Sequence, residues 1–160
     1  MTAADTPLLI AYDGSNAARR AIRETAELFG SRNVLVVTVW EPGMAYDATA
    51  LPTAGMEMPP VPLDVEEAHE VEHELQVHAR RTAEEGAELA RSVGLKADGL
   101  AVAEEVHVAD AIVEFARKRR VAAIIVGSRG LTGLRARLEG STSNAVLKHA
   151  PCPVVVVHDE

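Results

Sequence analysis

Cysteine is nearly absent from the sequence. The single thiol, Cys152, has no second cysteine with which to form an internal disulfide, a redox pair or a metal knuckle. Disulfide-stabilised folds and thiolate metal sites are therefore excluded. A lone thiol is typical of a reduced intracellular setting, so we expect a cytoplasmic protein.

Basic residues and long apolar runs are also scarce. The 16 Lys and Arg residues are outnumbered by 24 Asp and Glu, which makes the formal net charge −8. A generic nucleic-acid binder needs a basic face, and the acidic balance argues against one. No apolar run approaches the roughly 18 residues of a membrane span, and residues 1–6 lack the positive start of a secretion signal. We expect neither a nucleic-acid nor a membrane partner.

The residues that are present favour a single soluble globular domain over residues 1–160. With 48% hydrophobic and 25% charged residues, the chain can bury a sizeable core. Its length suits one domain rather than two.

Short apolar runs alternate with amphipathic segments along the chain. The runs are mostly β-branched and lack polar alternation, which is typical of strands covered on both faces of a parallel sheet. The order β-α-β-α-β-α-β-α-β predicts an α/β fold, a single three-layer domain with a five-stranded, mainly parallel twisted sheet and helices on both faces. The predicted strands are 8–12, 34–40, 100–103, 121–126 and 154–157, and the predicted helices are 17–29, 64–93, 109–119 and 141–149.

The segment 41–63 does not fit this alternation. It holds five of the eight prolines and three of the four methionines, so it cannot be one regular element. We expect a long loop, either functional or mobile. Asp64 and Glu67 follow it with a capping-box-like spacing at the start of the next helix.

Glycines gather after the fourth predicted strand. They include Gly127, Gly130 and Gly140, and Ser141 begins a helix directly after them. Glycines let a backbone approach a ligand closely, and a helix N-terminus presents free N–H donors, so the segment predicts a phosphate site. The alternative is that these glycines only shape a surface turn. The chain contains neither a Walker A loop nor a Gly-x-Gly-x-x-Gly turn.

Two motifs near the ends of the chain have a long and specific spacing. One is Tyr12-Asp13-Gly14-Ser15, and the other is Gly127-x2-Gly130-x9-Gly140-Ser141 followed by residues 144–157. With the five-strand layout, they resemble the universal stress protein family over essentially the whole chain. The full glycine pattern is that of its ATP-binding branch. The resemblance implies a Rossmann-like fold of the adenine nucleotide alpha-hydrolase type, in which strands one and four are neighbours.

The resemblance also implies an ATP site, with Mg²⁺ or Mn²⁺ bound through the phosphates. Asp13 would contact the ribose and adenine side, Val39 would pack on the adenine, and Ser143 would add a phosphate donor. The ribose and phosphates would be lined by Gly127, Gly130, Gly140 and Ser141. The family further implies a homodimer through the C-terminal strand, for which a monomer is the alternative.

Some of these residues have a simpler interpretation. Asp13 could cap the first helix, but an acid at a strand end beside a nucleotide pocket commonly accepts from ribose hydroxyls, and we favour ligand contact. Arg129 and Arg135 could neutralise phosphate charge or lie on a solvated loop face. Val106-His107-Val108 departs from the family's Gly-Asp/Ser-Pro helix start, which leaves the cap of the third helix unassigned.

Two segments of the sequence resemble catalytic motifs, but each lacks a residue that the motif requires. His69-Glu70-Val-Glu-His73 matches the zincin pattern, but no third histidine follows at the metzincin spacing, and we expect a solvated helix flank with at most adventitious metal binding. The nucleophile position of a haloacid-dehalogenase-type phosphotransferase is occupied by Ala11. We therefore predict no catalytic residues.

Two functions remain. The first is an ATP-binding regulatory or stress-response module with at most slow hydrolysis. The second is an ATP-hydrolysing or phosphate-transferring enzyme on the same scaffold, which would need a group that positions attacking water in line with the γ-phosphate. The charge distribution fits a phosphate site, because residues 117–149 contain eight basic and one acidic residue. We expect this positive charge to surround the glycine segment.

Overall fold

The computed structural model describes residues 6–42, 65–104, 107–127 and 141–158, without the side chains of residues 65 and 141–144. Within these ranges the chain forms five strands and four helices. The strands are β1 (Leu8–Ala11), β2 (Asn33–Trp40), β3 (Lys96–Ala103), β4 (Ile124–Gly127) and β5 (Val154–Val157). The helices are α1 (Asn16–Phe29), α2 (Val65–Ser92), α3 (Val108–Arg119) and α4 (Ser141–His149).

The five strands form one parallel sheet in the order β3-β2-β1-β4-β5. In its register Ala11 lies opposite Val37, and Ile10 lies opposite both Val36 and Ile125. Strands β1 and β4 are neighbours, as the family resemblance implied. The predicted α/β fold class is confirmed, and every strand pair in the sheet is parallel.

Helices cover both faces of the sheet, because successive apolar residues of the strands point to opposite faces. Leu8, Ile10 and Tyr12 pack into the core beneath α1 and α2. Leu9 and Ala11 pack into a second core beneath α3 and α4. Both faces of β1 are therefore buried, which explains why its sequence has no polar alternation.

Helix α2 lies unusually close to the sheet. A Cβ atom on Gly99 of β3 would stand 2.6 Å from the carbonyl oxygen of Ala83, and one on Gly86 of α2 would stand 2.7 Å from the ring of Tyr12. Strand β3 begins at Lys96 and includes Gly99, whereas its predicted start was residue 100. A glycine inside a strand normally weakens it, but here the glycine makes room for the helix.

The other boundaries differ little from the predictions. Strand β4 begins at Ile124 rather than 121, although Ala122 already donates to the carbonyl of Pro7 before it. Helix α4 and strand β5 have the predicted bounds. The predicted loop 41–63 and its capping residue Asp64 lie outside the described residues, apart from 41 and 42. Among the described helices, none has the length and apolarity needed to cross a membrane.

Candidate functional site

The sheet has a topological switch point between β1 and β4. The chain leaves β1 through α1 onto one face, and it leaves β4 towards α4 on the opposite face. Since the two strands are hydrogen-bonded neighbours, their connections diverge at the carboxyl edge of the sheet. Open α/β sheets bind ligands in such a crevice.

Asp13 stands in a tight turn at this edge. Its Oδ1 accepts a 2.9 Å hydrogen bond from the backbone N–H of Ser15, and Gly14 between them has φ +81°. The cap of α1 is Ser15, whose Oγ accepts from the N–H of Ala18 at 3.1 Å. Asp13 is exposed and does not cap the helix. Its second carboxylate oxygen is directed to no hydrogen-bond donor in the described part of the chain, so it can accept from a ligand.

Val39 lies near the end of the neighbouring strand, at the same edge of the sheet as Asp13. The parallel register ends with Ala11 opposite Val37, and Asp13 and Val39 each follow that last pair by two residues. Val39 is half-buried and packs against the core beneath α3 and α4. The carboxyl edge thus has a partly exposed apolar side chain on β2 and a carboxylate after β1, a combination suited to a nucleoside with an apolar base face and a polar sugar.

Gly127 ends β4 at the same edge and is buried. A Cβ at this position would lie 2.8 Å from the carbonyl carbon of Ala17 and 2.9 Å from its Cβ. The first turn of α1 therefore requires glycine here, whatever binds nearby. The contact that the structure describes for Gly127 is packing against a helix.

Helix α4 brings its N-terminal end to the same edge. It is followed by β5, which enters the sheet at the amino edge, so α4 runs antiparallel to the strands. Its first backbone N–H groups therefore lie at the carboxyl edge, where they favour an anion. Ser141 and Ser143 are in its first turn, but their side chains lie outside the description. So do Gly130, Gly140, Arg129 and Arg135.

The expected concentration of positive charge around the glycine segment is not borne out by the described residues. Five of the eight basic residues in 117–149 lie near the C-terminal ends of α3 and α4, which point to the amino edge of the sheet. Cations at helix C-termini complement the helix dipole. The basic run 117–120 thus stabilises a helix end far from the switch point, and Glu114 pairs with Arg117 and Lys118. The other three residues of that set, Arg129, Arg135 and Arg137, lie outside the described part.

A broad depression of about 700 Å³ lies at the amino edge, bounded by residues that include Pro7, Arg91 and Lys96. It is a shallow surface hollow. Arg91 in its wall donates from Nη1 to the carbonyl of Ala97 at 2.8 Å and also pairs with Glu84. The switch point remains the better candidate, because ligands of open α/β sheets bind at the carboxyl edge rather than the amino edge.

The residues of the zincin-like motif lie on a solvated helix flank, as expected. His69 and His73 are both exposed on α2. No group of three or more metal-ligating side chains occurs among the described residues. Ala11, which occupies the nucleophile position of a haloacid-dehalogenase-type phosphotransferase, is buried in β1.

Sequence reasoning missed Thr38. It is the one polar residue inside the apolar run of β2, and its buried hydroxyl donates a 2.8 Å hydrogen bond to the carbonyl oxygen of Tyr12. That carbonyl belongs to the peptide that leads into Asp13. The signal that could have identified Thr38 is a polar side chain in a strand covered on both faces, since such a group requires a specific partner.

Comparison with known proteins gives a consistent result. The sequence profile of the universal stress protein family matches residues 6–158. A universal stress protein from Bacillus subtilis is 27% identical over 151 residues, which cover 94% of this chain and 97% of that protein. A universal stress protein from Thermus aquaticus is 30% identical over 153 residues, covering 94% of this chain and 96% of that protein.

Solved structures share the fold. The hypothetical protein MJ0577 has a TM-score of 0.71 at 23% identity, covering 98% of both chains. A universal stress protein from Archaeoglobus fulgidus in complex with dAMP has a TM-score of 0.58 at 22% identity, covering 95% of this chain and 97% of that one. A family protein from Arabidopsis thaliana with AMP bound has a TM-score of 0.58 at 20% identity, covering 97% and 92%.

Proposed function

Because the chain belongs to the universal stress protein family, we propose that it is an ATP-binding regulatory module that holds the nucleotide at the switch point between β1 and β4. The observation that carries the proposal is the exposed carboxylate of Asp13 at the edge where the connections of two neighbouring strands diverge. Nucleotides in related folds bind at such an edge, and two structural neighbours hold AMP and dAMP.

Each part of the nucleotide has a matching group in this proposal. The ribose hydroxyls donate to Asp13, and the adenine ring packs on Val39. The phosphates extend towards the N-terminal end of α4, where free backbone N–H groups and Ser141 and Ser143 supply donors. Gly130, Gly140 and Arg129 complete the phosphate cradle, and Gly127 allows α1 to approach β4.

A divalent ion would reach the site with the nucleotide. The described residues contain no cluster of three or more metal-ligating side chains, so they fit an ion held mainly by phosphate oxygens. Mg²⁺ is commonly bound in this way, through substrate phosphates and few protein ligands. The ion, Mg²⁺ or Mn²⁺, would neutralise phosphate charge.

We also propose that hydrolysis is slow. Rapid turnover needs a group that positions attacking water in line with the γ-phosphate, and no motif in the sequence supplies an obvious one. The rival function is an ATP-hydrolysing or phosphate-transferring enzyme. Magnesium-dependent turnover on the order of 1 per second or faster would favour that rival.

The direct test is to denature freshly purified protein and identify any released nucleotide by chromatography and mass spectrometry. The emptied protein is then titrated calorimetrically with ATP, ADP, AMP and cyclic AMP, with and without Mg²⁺. We expect ATP to bind, and more tightly with Mg²⁺. If the protein preferred AMP, the proposed site would stand but its ligand would be AMP rather than ATP. If no adenine nucleotide bound, the proposed function would be contradicted.

We further propose a cytoplasmic homodimer assembled through β5. This strand is at the end of the sheet order and consists of four consecutive valines, three of which are only partly buried. An exposed apolar edge strand favours pairing with another chain. Sedimentation at micromolar concentration should show a dimer, and a Val155→Lys variant should shift it towards the monomer.

A further inference from the structure

Thr38 lies at the same edge of the sheet as Asp13. The residue is 8% exposed, and its side chain shares a sheet face with Tyr12, since Val37 and Val39 on either side of it belong to the opposite core. Its Oγ1 donates to the carbonyl oxygen of Tyr12 at 2.8 Å. A buried hydroxyl that donates with this geometry holds the carbonyl that accepts its hydrogen bond in one orientation.

The backbone of Tyr12 is held by β2 at both of its polar groups. Its N–H donates to the carbonyl oxygen of Val37 at 2.8 Å, while its own carbonyl accepts from the Thr38 side chain. Strand β1 ends at Ala11, so a side chain continues the pairing one step beyond the strand. Because a peptide unit is planar, fixing this carbonyl also fixes the N–H of Asp13 and the direction in which the chain leaves the sheet.

We propose that Thr38 is a positioning residue for the nucleotide site, because its hydroxyl orients the peptide between Tyr12 and Asp13 and thereby the Asp13 carboxylate. This inference rests on the proposed function. Oδ1 of Asp13 is engaged by the Ser15 N–H at 2.9 Å, so the orientation of the turn determines where Oδ2 stands. A rotation of the peptide would move that oxygen away from the ribose hydroxyls.

The chain offers a matched control for this role. Thr25 is 1% exposed, and its Oγ1 donates to the carbonyl oxygen of Ala21 at 2.6 Å. It lies ten residues beyond Ser15 along α1, about 15 Å of helix from the turn. Thr38→Val and Thr25→Val are nearly isosteric, and each removes one buried bond from a hydroxyl to a carbonyl. Both should lower stability, but only the first should disturb the site.

The test measures nucleotide affinity and the structure of the turn. Calorimetric titration with ATP and with AMP should show about tenfold weaker binding for Thr38→Val. Affinity should change by less than about threefold for Thr25→Val and for Thr38→Ser, which retains the hydroxyl donor. Amide chemical shifts of Gly14 and Ser15 in nucleotide-free protein should move in Thr38→Val and stay in place in Thr25→Val.

Each outcome decides the proposal. Wild-type affinity in Thr38→Val, or an equal loss in Thr25→Val, would overturn it. Absence of nucleotide binding by the wild type would contradict the proposed function instead, and the amide shifts would then decide alone. Unchanged Gly14 and Ser15 shifts in Thr38→Val would show that Thr38 does not orient the turn.

Discussion

The two edges of the sheet differ in how the chain crosses them. At the amino edge, segments that enter neighbouring strands are hydrogen-bonded to one another. Ala122 donates to the carbonyl of Pro7 at 2.8 Å, and Ile124 donates to that of Pro153 at 2.9 Å. At the carboxyl edge, the segments that leave β1 and β4 separate onto opposite faces. Hydrogen bonds therefore join adjacent segments at the amino edge, whereas the diverging segments leave a crevice at the carboxyl edge.

The edges also differ in charge. The basic run 117–120 and Lys148 lie at the amino edge, whereas the exposed carboxylate of Asp13 stands at the carboxyl edge. These five basic residues, which we expected around the glycine segment, therefore lie at the opposite edge of the sheet. Antiparallel packing of each helix on its strand places helix C-termini, where cations are favourable, opposite the ligand edge.

The largest predicted effect concerns packing at the carboxyl edge. Gly127→Ala would bring a Cβ within 2.8 Å of the Ala17 backbone, and we expect it to lower the free energy of unfolding by about 3 kcal/mol. The control at the amino edge is Gly94→Ala. Gly94 has φ +93° but open space around it, so its cost should be about 1 kcal/mol. Urea denaturation measures both, and equal losses would contradict the packing role of Gly127.

The second prediction concerns charge at the two edges. Asp13→Asn keeps an oxygen that can accept from the Ser15 N–H but removes the negative charge, and we expect ATP to bind about tenfold more weakly. Asp98→Asn makes the same change in an exposed aspartate near the amino edge, in the first half of β3. The Asp98→Asn variant should bind ATP with the affinity of the wild type. Similar losses in both variants would indicate a general charge effect rather than contact with the ribose.

Predictions from sequence succeeded where the signal is local and failed where it depends on contacts between distant parts of the chain. Hydrophobic patterning predicted every described element, because burial on both faces leaves a strong signal in strands such as β1 and β4. It missed the first half of β3, since the reason for Gly99 is the nearby carbonyl of Ala83, a contact between distant parts of the chain. The same limit applies at the site. Asp13 is predicted as a ligand contact from its place after a strand and from the family resemblance, whereas the hydrogen bond of Thr38 depends on a partner 26 residues away.

The third prediction compares two helices that begin at the carboxyl edge. Helix α1 is capped by the Ser15 side chain, whereas His107 at the start of α3 makes no side-chain cap, although its φ of −145° and ψ of 124° suit a capping residue. Ser15→Ala should lower the free energy of unfolding by about 1 kcal/mol, and His107→Ser should raise it by slightly less. Thermal and urea denaturation test the pair. A destabilised His107→Ser variant would mean that the imidazole makes a contact that a cap cannot replace.

The smallest effect concerns Cys152, just before β5 at the amino edge. Burial raises the pKa of this thiol above its ordinary value, so the folded protein retains the proton at a pH where an unfolded chain loses it. Iodoacetamide should therefore alkylate the folded protein more slowly than the urea-unfolded chain at the same pH, because the thiolate is the nucleophile. Stability should fall slightly as pH rises above about 8.5, where only the unfolded thiol ionises. Cys152→Ser should lose that pH dependence. Equal alkylation rates in the folded and unfolded protein would show that the amino edge is more open around this residue than its packing indicates.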